Sequence, residues 1–377
     1  MAKMTLKDLM MILRRNIGAN SKKKFLIINP FGIGDVLFTT PVLSAIKEEY
    51  PESFIGYWCN ERVACLLRSN PRINVVFALS RGDIKKIYKK SRLEGIRQSL
   101  GLLLKIKKEK FDTCIDLSLE HYYSLIVKLL GIKKRIGFNY KNRGRFLTDK
   151  IDLDGYNSKH VVEYYLELLG SIGIKPKTSN LDLSVSEASK AKCRNLFKYY
   201  GVSDKDLIIG IAPGAGGSWG RDASIKHWPA IKFAQLAKRI IEDLKAKLLI
   251  LGDESERPIA DIIVNIIQHR AIDLVGKTTL EELAAVISSL NLLATNDGGP
   301  LHIAVTLGVK TVSLFGPVSE LVYGPYPQDD KRHIVLKSNI DCRPCYRNFR
   351  LDPCQRNKEC LEMINVEEVL DAVRRLI

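Results

Sequence analysis

Short apolar runs alternate with longer amphipathic stretches along most of this 377-residue chain. Such alternation is typical of strands joined by helices that cross over to the next parallel strand. It occurs in two series, from Phe25 to Leu130 and from Leu207 to Phe315, and the looser stretch Ser171–Asn180 between them is a candidate linker. The chain is too long for one ordinary core and suits two domains of roughly 150–200 residues. We therefore predict an α/β protein of two Rossmann-like domains that face a central cleft.

The periodicity also predicts individual elements. In the first series the expected strands are Phe25–Ile28, Ser53–Trp58, Val75–Leu79 and Thr113–Leu117, and the expected helices are Asp35–Glu49, Asp83–Lys108 and the region around Tyr122–Leu130. In the second series the expected strands are Leu207–Ala212, Lys247–Leu251, Leu290–Thr295 and Thr311–Phe315, and the expected helices are Pro229–Lys245, Leu280–Ser289 and Pro300–Leu307. The segment Asn365–Ile377 begins with a capping box formed by Asn365 and Glu368, which predicts a docked C-terminal helix.

Positive charge is concentrated in part of the chain, whose formal net charge is +17. The segment Met1–Lys24 has seven Lys/Arg and one acidic residue, and Arg81–Lys150 has nineteen Lys/Arg and seven acidic residues. A basic half favours an anionic partner such as nucleic acid, an acidic membrane surface or a phosphorylated substrate. The alternative is a solvated basic face that only aids solubility.

The first 23 residues are interpreted as a basic amphipathic segment. Leu6, Leu9, Met10 and Leu13 recur at helical spacing among lysines and arginines, which suits a short helix on an anionic membrane or, equally, a frayed terminus. The segment lacks the features of a secretory signal, and no run in the chain approaches the roughly 18–20 apolar residues of a membrane span. We therefore expect a cytoplasmic protein with peripheral membrane contact.

The loop after the first predicted strand is NPFGIGD, residues Asn29–Asp35. Gly32 and Gly34 let the backbone turn tightly and approach a ligand. The loop is neither a dinucleotide fingerprint, because Leu37 replaces the third glycine, nor a P-loop, because no Lys-Ser/Thr pair follows. Asp35 at the helix start is then either a cap or a base in the cleft. Beside the positive helix end we expect its carboxyl to keep a low pKa.

Two further loops belong to the second series. PGAGGSWG, residues Pro213–Gly220, precedes KHWP, residues Lys226–Pro229. A glycine-rich loop after a strand presents N–H groups to phosphate oxygens, and Lys226 adds a positive charge. Trp228 is more readily explained as a packing residue than as a ligand.

The third loop is NDGGPLH, residues Asn296–His302. The strand leads into Gly298 and Gly299, and a helix starting at Pro300 leaves N–H groups unpaired, which makes an anion site. His302 in the first turn is interpreted as a phosphate donor, with a structural histidine as the alternative. Together, the two loops predict a pyrophosphate pocket that faces the Asp35 carboxylate. That arrangement fits displacement of a nucleoside diphosphate from a sugar by a deprotonated hydroxyl.

With these motifs in this order, the sequence resembles glycosyltransferase family 9, the ADP-heptose:lipopolysaccharide heptosyltransferases. The resemblance runs from about Lys24 to the C-terminus and is carried by GDVL at Gly34–Leu37 with Pro41 following, by PGA and KHWP, and by NDGGPLH. It implies a GT-B fold and an inverting transfer of heptose to the inner core of lipopolysaccharide, onto Kdo-lipid A or a heptosyl acceptor. The residue patterns and the resemblance together predict four units: a basic segment at 1–23, an acceptor-side Rossmann-like domain at 24–180, a nucleotide-sugar domain at 181–361 and a C-terminal helix at 362–377.

The resemblance also assigns roles to residues. Asp35 corresponds to the general base, with Gly32 and Gly34 on the acceptor side. The donor-binding residues that it implies are Gly214, Gly216, Lys226, Glu256, Asp297, Gly298, Gly299 and His302. Glu256 is aligned by its spacing from Gly252 as the acid that holds the donor ribose, with Asp253 and Glu254 as rivals. The implied partners are a nucleotide-sugar donor and an anionic glycolipid acceptor at the membrane. No cofactor is required, and no ligand motif implies Mg²⁺.

Four clustered cysteines remain: Cys342, Cys345, Cys354 and Cys360. They resemble a segment found in many family members. A structural zinc site, reduced thiols that stabilise a loop, and a disulfide are all open interpretations, because the spacing lacks the second C-x-x-C of a zinc ribbon.

Three rival functions are compatible with parts of the sequence. A GT-B transferase that uses another ADP- or UDP-sugar as donor, for a different surface glycan, would have the same motifs. A nucleic-acid-binding protein would explain the charge, but no recognition helix, zinc-finger spacing or RNP-like aromatic pair supports it. A degenerate binding protein is disfavoured because Asp35 and Lys226 are both present.

Overall fold

The computed structural model describes residues 22–176 and 180–377. Two six-stranded sheets, each entirely parallel, form the centres of two α/β domains. The predicted pair of Rossmann-like domains is therefore confirmed. The amphipathic segment expected at 1–23 lies outside the described residues, apart from its last two. No helix in the described part of the chain is long and apolar enough to cross a membrane.

The first sheet takes its strands from the first 153 residues. They are β1 (Lys24–Ile28), β2 (Phe54–Cys59), β3 (Val75–Ala78), β4 (Thr113–Asp116), β5 (Lys134–Tyr140) and β6 (Asp149–Leu153). The helices of this region are α1 (Ile33–Leu37), α2 (Thr40–Glu49), α3 (Ala64–Arg68), α4 (Arg81–Lys90), α5 (Arg92–Glu109), α6 (His121–Leu129) and α7 (Val161–Glu167).

The second sheet spans residues 208–336. Its strands are β7 (Ile208–Ala212), β8 (Lys247–Ile250), β9 (Ile272–Asp273), β10 (Leu292–Asn296), β11 (Lys310–Leu314) and β12 (His333–Leu336). The helices that follow residue 180 are α8 (Glu187–Tyr199), α9 (Ala230–Leu244), α10 (Arg257–Ile266), α11 (Leu280–Ser288), α12 (Gly299–Thr306), α13 (Glu320–Tyr323), α14 (Glu359–Glu362) and α15 (Val366–Leu376). A two-stranded hairpin, β13 (Tyr346–Arg347) and β14 (Arg350–Leu351), lies between α13 and α14 in the chain.

Both sheets have the same strand order. The first runs β3-β2-β1-β4-β5-β6 and the second runs β12-β11-β10-β7-β8-β9, so each places its own first and fourth strands side by side. Crossovers leave the sheet in opposite directions from that pair, which opens a crevice at the carboxyl ends of the strands. The loops after β1, β4, β7 and β10 therefore define the place where a ligand fits.

Two predicted helices are each divided in two. The helix expected at Asp35–Glu49 breaks between α1 and α2 because Pro41 has no N–H to donate and its ring crowds the preceding turn. The basic stretch expected at Asp83–Lys108 breaks at Ser91, whose hydroxyl caps α5 by accepting from the N–H of Glu94. The sequence did not predict strands β5, β6, β9 and β12, the hairpin β13–β14, or helices α3, α7, α8, α10, α13 and α14.

Apolar side chains fill both faces of both sheets. The interface between the domains is reciprocal: Leu37 and Leu66 of the first domain pack in a cluster of the second, while Val322 and Tyr326 pack among core residues of the first. Helix α15 forms with the expected Asn365–Glu368 capping box and buries its apolar face on the second sheet. The interface fixes the two crevices opposite each other.

Candidate active site between the two sheets

A cavity of about 860 Å³ lies between the carboxyl ends of the two sheets. The loop after β1 contributes residues 30–35, and the loop after β4 contributes residues 118–120. The second domain contributes Ala215, Gly216, Lys226, Asp297, Gly298, Gly299 and His302. Residues from all three predicted loops thus line one cavity.

Asp35 lies at the third position of α1 on the first-domain wall. Its Oδ2 accepts a hydrogen bond of 3.0 Å from the N–H of Gly32, the residue that precedes the helix. The side chain of Asn29 donates to the carbonyl oxygen of Asp35 at 3.0 Å, and its own Oδ1 accepts from the N–H of Phe31. The cap and base alternatives are therefore compatible, because the carboxylate braces the loop and also faces the cavity.

The expected low pKa of Asp35 is wrong. Burial between the domains raises the pKa of this carboxyl to about 6, although the Gly32 N–H and the positive charge of Lys226 act in the opposite direction. The sequence argument considered only the helix end and not the loss of hydration when the second domain covers the loop. A pKa near 6 still leaves the group mostly ionised at neutral pH, and its conjugate acid is weaker than an ordinary aspartic acid, so it is a better base.

Lys226 and Asp297 form a buried ion pair on the opposite wall. Nζ of Lys226 lies 2.6 Å from Oδ2 of Asp297, and both side chains are less than a tenth exposed. Both charges are near enough to Asp35 to affect its pKa, in opposite directions. This pair places a cation in the same cavity as Gly298 and Gly299, beside the unpaired N–H groups at the start of α12.

His302 contacts both domains. Its ring packs edge-on against Phe38, with 4.8 Å between the ring centroids, and its Nε2 lies 3.8 Å from Oδ1 of Asp297. Burial lowers the pKa of His302 to about 4, so the imidazole is neutral at pH 7. A Cβ at Gly34 would lie 2.6 Å from Cδ2 of this ring. Gly34 is thus required for the two domains to approach, a role that the sequence did not indicate.

Two more glycines allow close packing between the loops that line the cavity. A Cβ at Gly298 would lie 2.8 Å from the carbonyl oxygen of Ala215, and one at Gly299 would lie 2.7 Å from Cδ1 of Ile33. The first contact joins the two glycine loops of the second domain, and the second joins that domain to the first. The expected tight loops are present, and the structure adds that their tightness serves packing between loops.

Glu256 braces the glycine loop instead of facing the cavity. Its Oε1 accepts from the N–H of Gly216 at 2.9 Å and its Oε2 accepts from the N–H of Asp253 at 3.0 Å, while burial raises the pKa of this carboxyl. A Cβ at Gly214 would lie 1.6 Å from Oε1. The N–H of Gly216, expected to meet a phosphate, is therefore occupied by a carboxylate, and the acid that lines the cavity is the rival Asp253.

Asn296 positions the glycine loop and was not singled out by the sequence as a separate residue. Its Nδ2 donates to the carbonyl oxygens of Pro213 and Gly214, at 2.6 and 3.1 Å, and its Oδ1 accepts from the N–H of Trp228 at 3.0 Å. Trp228 is fully buried, which agrees with its interpretation as a packing residue. A buried asparagine at the end of a strand, directly before Asp-Gly-Gly, was the available signal.

Basic and aromatic side chains line the first-domain side of the cavity, and sequence reasoning missed all of them individually. Arg62 and Lys141 are exposed, and Arg143 pairs with Glu120 at 2.8 Å. Close by, Ser118 donates to the buried carboxylate of Asp116 at 2.6 Å. Lys141 and Arg143 belong to the basic segment from which the sequence predicted an anionic partner, and that partner stays a prediction.

The hairpin β13–β14 reaches from the second domain to the first. Phe349 packs against Tyr140 and Tyr156, with ring centroids 5.0 and 4.9 Å apart, and the hydroxyl of Tyr140 donates to the carbonyl oxygen of Asn348 at 3.2 Å. Tyr346 and Phe349 both line the cavity. The cysteine-rich segment therefore closes one side of the site.

The four clustered cysteines flank this hairpin as free thiols. The thiol of Cys345 donates to the carbonyl oxygen of Cys342 at 3.1 Å, and the N–H of Lys358 donates to Sγ of Cys354 at 3.2 Å. Nowhere in residues 22–176 or 180–377 do three His, Cys, Asp or Glu side chains come together as a metal-binding group. All four side chains are free thiols in this structure, and the zinc, disulfide and reduced-thiol interpretations stay predictions.

Comparison with known proteins identifies the family. The pattern of glycosyltransferase family 9 (heptosyltransferase) matches residues 100–354. The chain is 26% identical over 348 residues to lipopolysaccharide heptosyltransferase 3 of Escherichia coli K12, an alignment that covers 91% of this chain and 95% of that protein. It is 27% identical over 359 residues to lipooligosaccharide heptosyltransferase 2 of Campylobacter jejuni, covering 94% and 99%.

A solved structure supports the same conclusion. The glycosyl transferase family 9 protein of Veillonella parvula superposes with a TM-score of 0.79 at 26% identity, covering 94% of this chain and 97% of that one. Two Rossmann-like domains around a cleft are the GT-B fold expected from the sequence, and the motif-based resemblance is confirmed. This chain is a glycosyltransferase and belongs to glycosyltransferase family 9.

Proposed function

We propose that the chain transfers heptose from ADP-heptose, with inversion, to the inner core of lipopolysaccharide, onto Kdo-lipid A or a heptosyl acceptor. The similarity to heptosyltransferases of E. coli and C. jejuni over more than nine-tenths of the chain supports heptose as the sugar and lipopolysaccharide or lipooligosaccharide as the acceptor class. The observation that carries the chemistry is the placement of Asp35 opposite the Lys226–Asp297 pair in one cavity. A base on one wall and a phosphate site on the other are what a single displacement requires.

Asp35 is the proposed base. Its carboxylate takes the proton from the acceptor hydroxyl as the oxygen of that hydroxyl attacks the anomeric carbon. The bond from that carbon to the nucleoside diphosphate breaks, and the diphosphate leaves with the bonding electron pair from the opposite face. Attack and departure on opposite faces invert the anomeric configuration. The raised pKa of Asp35, about 6, fits a group that must accept a proton near neutral pH.

The second domain is proposed to hold the leaving diphosphate. Lys226 supplies a positive charge where negative charge develops, and the N–H groups at the start of α12 add hydrogen bonds. Gly298 and Gly299 allow the phosphates to approach the backbone. Because protein groups supply the charge, the proposal requires no metal ion. The candidates for the donor ribose are Glu256 and its rivals Asp253 and Glu254, and of these Asp253 lines the cavity.

The two walls also suggest which part of the chain binds each substrate. Residues 24–180 carry Asp35 and the basic wall and are proposed as the acceptor-side domain; residues 181–361 carry the diphosphate site, and residues 362–377 add a helix to it. The acceptor is proposed to be an anionic glycolipid, reached by peripheral contact with the cytoplasmic face of the membrane. Nucleic acid is not a proposed partner.

Turnover against a panel of ADP- and UDP-sugars with Kdo-lipid A acceptors tests the function. We expect product only with ADP-heptose. The NMR spectrum of the product should show the anomeric configuration opposite to that of the donor. Turnover with a different nucleotide sugar alone would assign the chain to another surface glycan. Retained configuration would refute the single displacement. Thermal stabilisation by DNA, and not by ADP-sugar, would refute the transferase proposal itself.

A further inference from the structure

Helices α4 and α5 form a hairpin whose outer face is apolar. Leu93, Ile96, Leu100 and Leu104 are 82, 45, 55 and 66% exposed, although they are all large aliphatic side chains. Their spacing of three, four and four residues places them along one side of α5, a stripe about 17 Å long at 1.5 Å per residue. Single exposed leucines are common, but a stripe of four on one helix marks an interaction surface.

The stripe has no partner among the described residues because α5 packs on the domain core through its other side. Leu102 and Ile106 of α5 are buried against the first sheet. Towards its N-terminal end, α5 contacts α4 instead, where Gly95 is so close to the ring of Tyr88 that a Cβ would lie 2.3 Å from it. The first half of α5 thus projects with α4 from the body of the domain.

Positive charge surrounds the stripe. Residues 81–109 contain ten Lys/Arg and three acidic residues. Among the described side chains, Arg97 is the one hairpin cation with a carboxylate within ion-pair distance, that of Glu94 at 2.8 Å. The remaining cations with described side chains are exposed: Lys85, Lys86, Lys89, Lys90, Arg92, Lys105, Lys107 and Lys108. An apolar stripe flanked by unneutralised lysines is the composition of an interfacial helix.

The hairpin lies next to the mouth of the cavity. The carboxylate of Asp83, in the first turn of α4, accepts from the N–H of Glu61 at 3.2 Å. The next residue, Arg62, lines the cavity. A surface bound to the hairpin is therefore held beside the wall proposed to receive the acceptor.

We propose that the α4–α5 hairpin docks on an anionic phospholipid bilayer, with the four aliphatic side chains among the acyl chains and the lysines at the lipid phosphates. This inference rests on the proposed function, because it supplies the surface that brings a lipid-linked acceptor to the cleft. A second copy of the chain fits this face poorly, since a two-fold contact would place ten cations against ten more. Nucleic acid would satisfy the lysines but not four exposed aliphatic side chains.

Binding of the full chain to vesicles, without donor or acceptor, tests the docking surface. Vesicles with one third phosphatidylglycerol in phosphatidylcholine should bind the protein, and pure phosphatidylcholine should bind it far less. The variant Leu93→Asn, Leu100→Asn, Leu104→Asn keeps the net charge and should lower the partition coefficient about a hundredfold. The matched control Ile231→Asn, Ile262→Asn, Ile266→Asn changes three exposed aliphatic side chains of the second domain and should bind as the parent does.

A lysine variant separates charge from apolar contact. Replacing Lys85, Lys86, Lys89 and Lys90 by Gln should weaken binding to the anionic vesicles and remove most of its dependence on salt. Parental binding by both hairpin variants would overturn the proposal, and would point to the first 21 residues if their removal abolished binding. Loss of self-association in the leucine variant, with no vesicle binding by the parent, would instead identify an interface between copies.

Turnover distinguishes failure of the docking surface from failure of the proposed function. The leucine variant should lose activity on acceptor embedded in vesicles and keep parental activity on an acceptor freed of its acyl chains. Equal activity of both proteins on the embedded acceptor would overturn the docking proposal alone. Absence of turnover by the parent on either acceptor would refute the proposed function and leave vesicle binding as a separate result.

Discussion

The two walls of the cavity differ in how their polar groups are satisfied. On the second-domain wall, Lys226 pairs with Asp297, Glu256 accepts from the glycine loop, and Asn296 joins that loop to the segment of Trp228. On the first-domain wall, Arg62 and Lys141 are exposed, and neither has a carboxylate partner among the described residues. One wall is organised before a ligand arrives, and the other presents charge to solvent.

This difference indicates how each wall binds. The ordered wall fits a small ligand of fixed shape such as a nucleoside diphosphate, because its charges cost little further reorganisation. The open wall fits a large and variable anionic acceptor, which is attracted over distance and held by weak exposed contacts. Substitutions on the ordered wall, and of the base that faces it, should therefore have larger effects than substitutions of the exposed cations.

Asp35→Asn should have the largest effect. The amide still accepts the hydrogen bond from Gly32 but cannot take a proton, so kcat should fall by about 10²–10⁴ while ADP affinity stays within a factor of about two. Steady-state kinetics and calorimetric titration with ADP measure the two quantities. Glu368→Gln alters the equivalent capping position of α15, which does not line the cavity, and should leave kcat unchanged. A turnover above a tenth of the parental value would exclude Asp35 as the base.

The sequence predicted which loops carry the site residues better than it predicted the tertiary contacts and burial of those residues. Strand periodicity placed Asp35, Lys226 and Asp297 on loops at the carboxyl ends of strands, because those signals are local in the chain. The contact of Gly34 with His302 joins residues far apart in sequence, so no local pattern reveals it. The pKa of Asp35 was misjudged for the same reason, since the second domain buries it.

Glu256 and the basic wall show a second limit. Spacing placed Glu256 after the correct strand, but three acids lie within four residues there, and only tertiary packing decides which one faces the cavity. Similarly, the charge of Arg81–Lys150 predicted an anionic partner without distinguishing Lys141 from the many other cations, and Arg62 lies outside both basic segments. Net charge is a property of a whole region, whereas a binding wall depends on which side chains are left without partners.

Lys226→Met removes the cation of the buried ion pair on the ordered wall. Loss of one charge-assisted contact, about 1.5–3 kcal/mol, should weaken ADP binding roughly 10- to 150-fold. The variant also leaves Asp297 buried without its cation, which should lower the unfolding free energy by about 3–5 kcal/mol. The double variant Lys226→Met, Asp297→Asn should recover most of the stability and none of the affinity. Recovery of ADP affinity in the double variant would show that Lys226 serves only to neutralise Asp297.

Gly298→Ala tests whether the tight contact between the two glycine loops matters. The added Cβ meets the backbone oxygen of Ala215, which cannot rotate away, so we expect a loss of about 1–3 kcal/mol in stability and a raised donor KM. Gly101→Ala is the control, because a Cβ there has nothing within 4 Å and lies within α5. That change should stabilise the protein by about 0.5–1 kcal/mol. Thermal unfolding that ranks the two variants alike would contradict the packing role.

The pH profile should follow Asp35, whose environment combines both walls. Burial raises its pKa to about 6, with Lys226 lowering it and Asp297 raising it, and the base acts only when deprotonated. The value of kcat/KM should therefore be constant above pH 7 and should fall as the pH drops through about 6, to roughly a tenth at pH 5. Burial also raises the pKa of Asp116 to about 6. Asp116→Asn should keep the parental midpoint, and a shifted midpoint in that variant would assign the titration to Asp116.

Arg62→Ala should have the smallest effect because its guanidinium is exposed and solvated. An exposed charge contact contributes about 0.5–1 kcal/mol, so acceptor KM should rise about two- to fivefold while donor KM and kcat stay unchanged. The nearby Arg68 is a matched control, since it is also exposed but pairs with Glu61 and does not line the cavity. Raising the ionic strength should weaken acceptor binding more than donor binding, because solvent ions reach the open wall and not the buried Lys226–Asp297 pair. A donor KM that responds to salt as strongly as the acceptor KM would mean that the two walls do not differ in the way their charges are exposed.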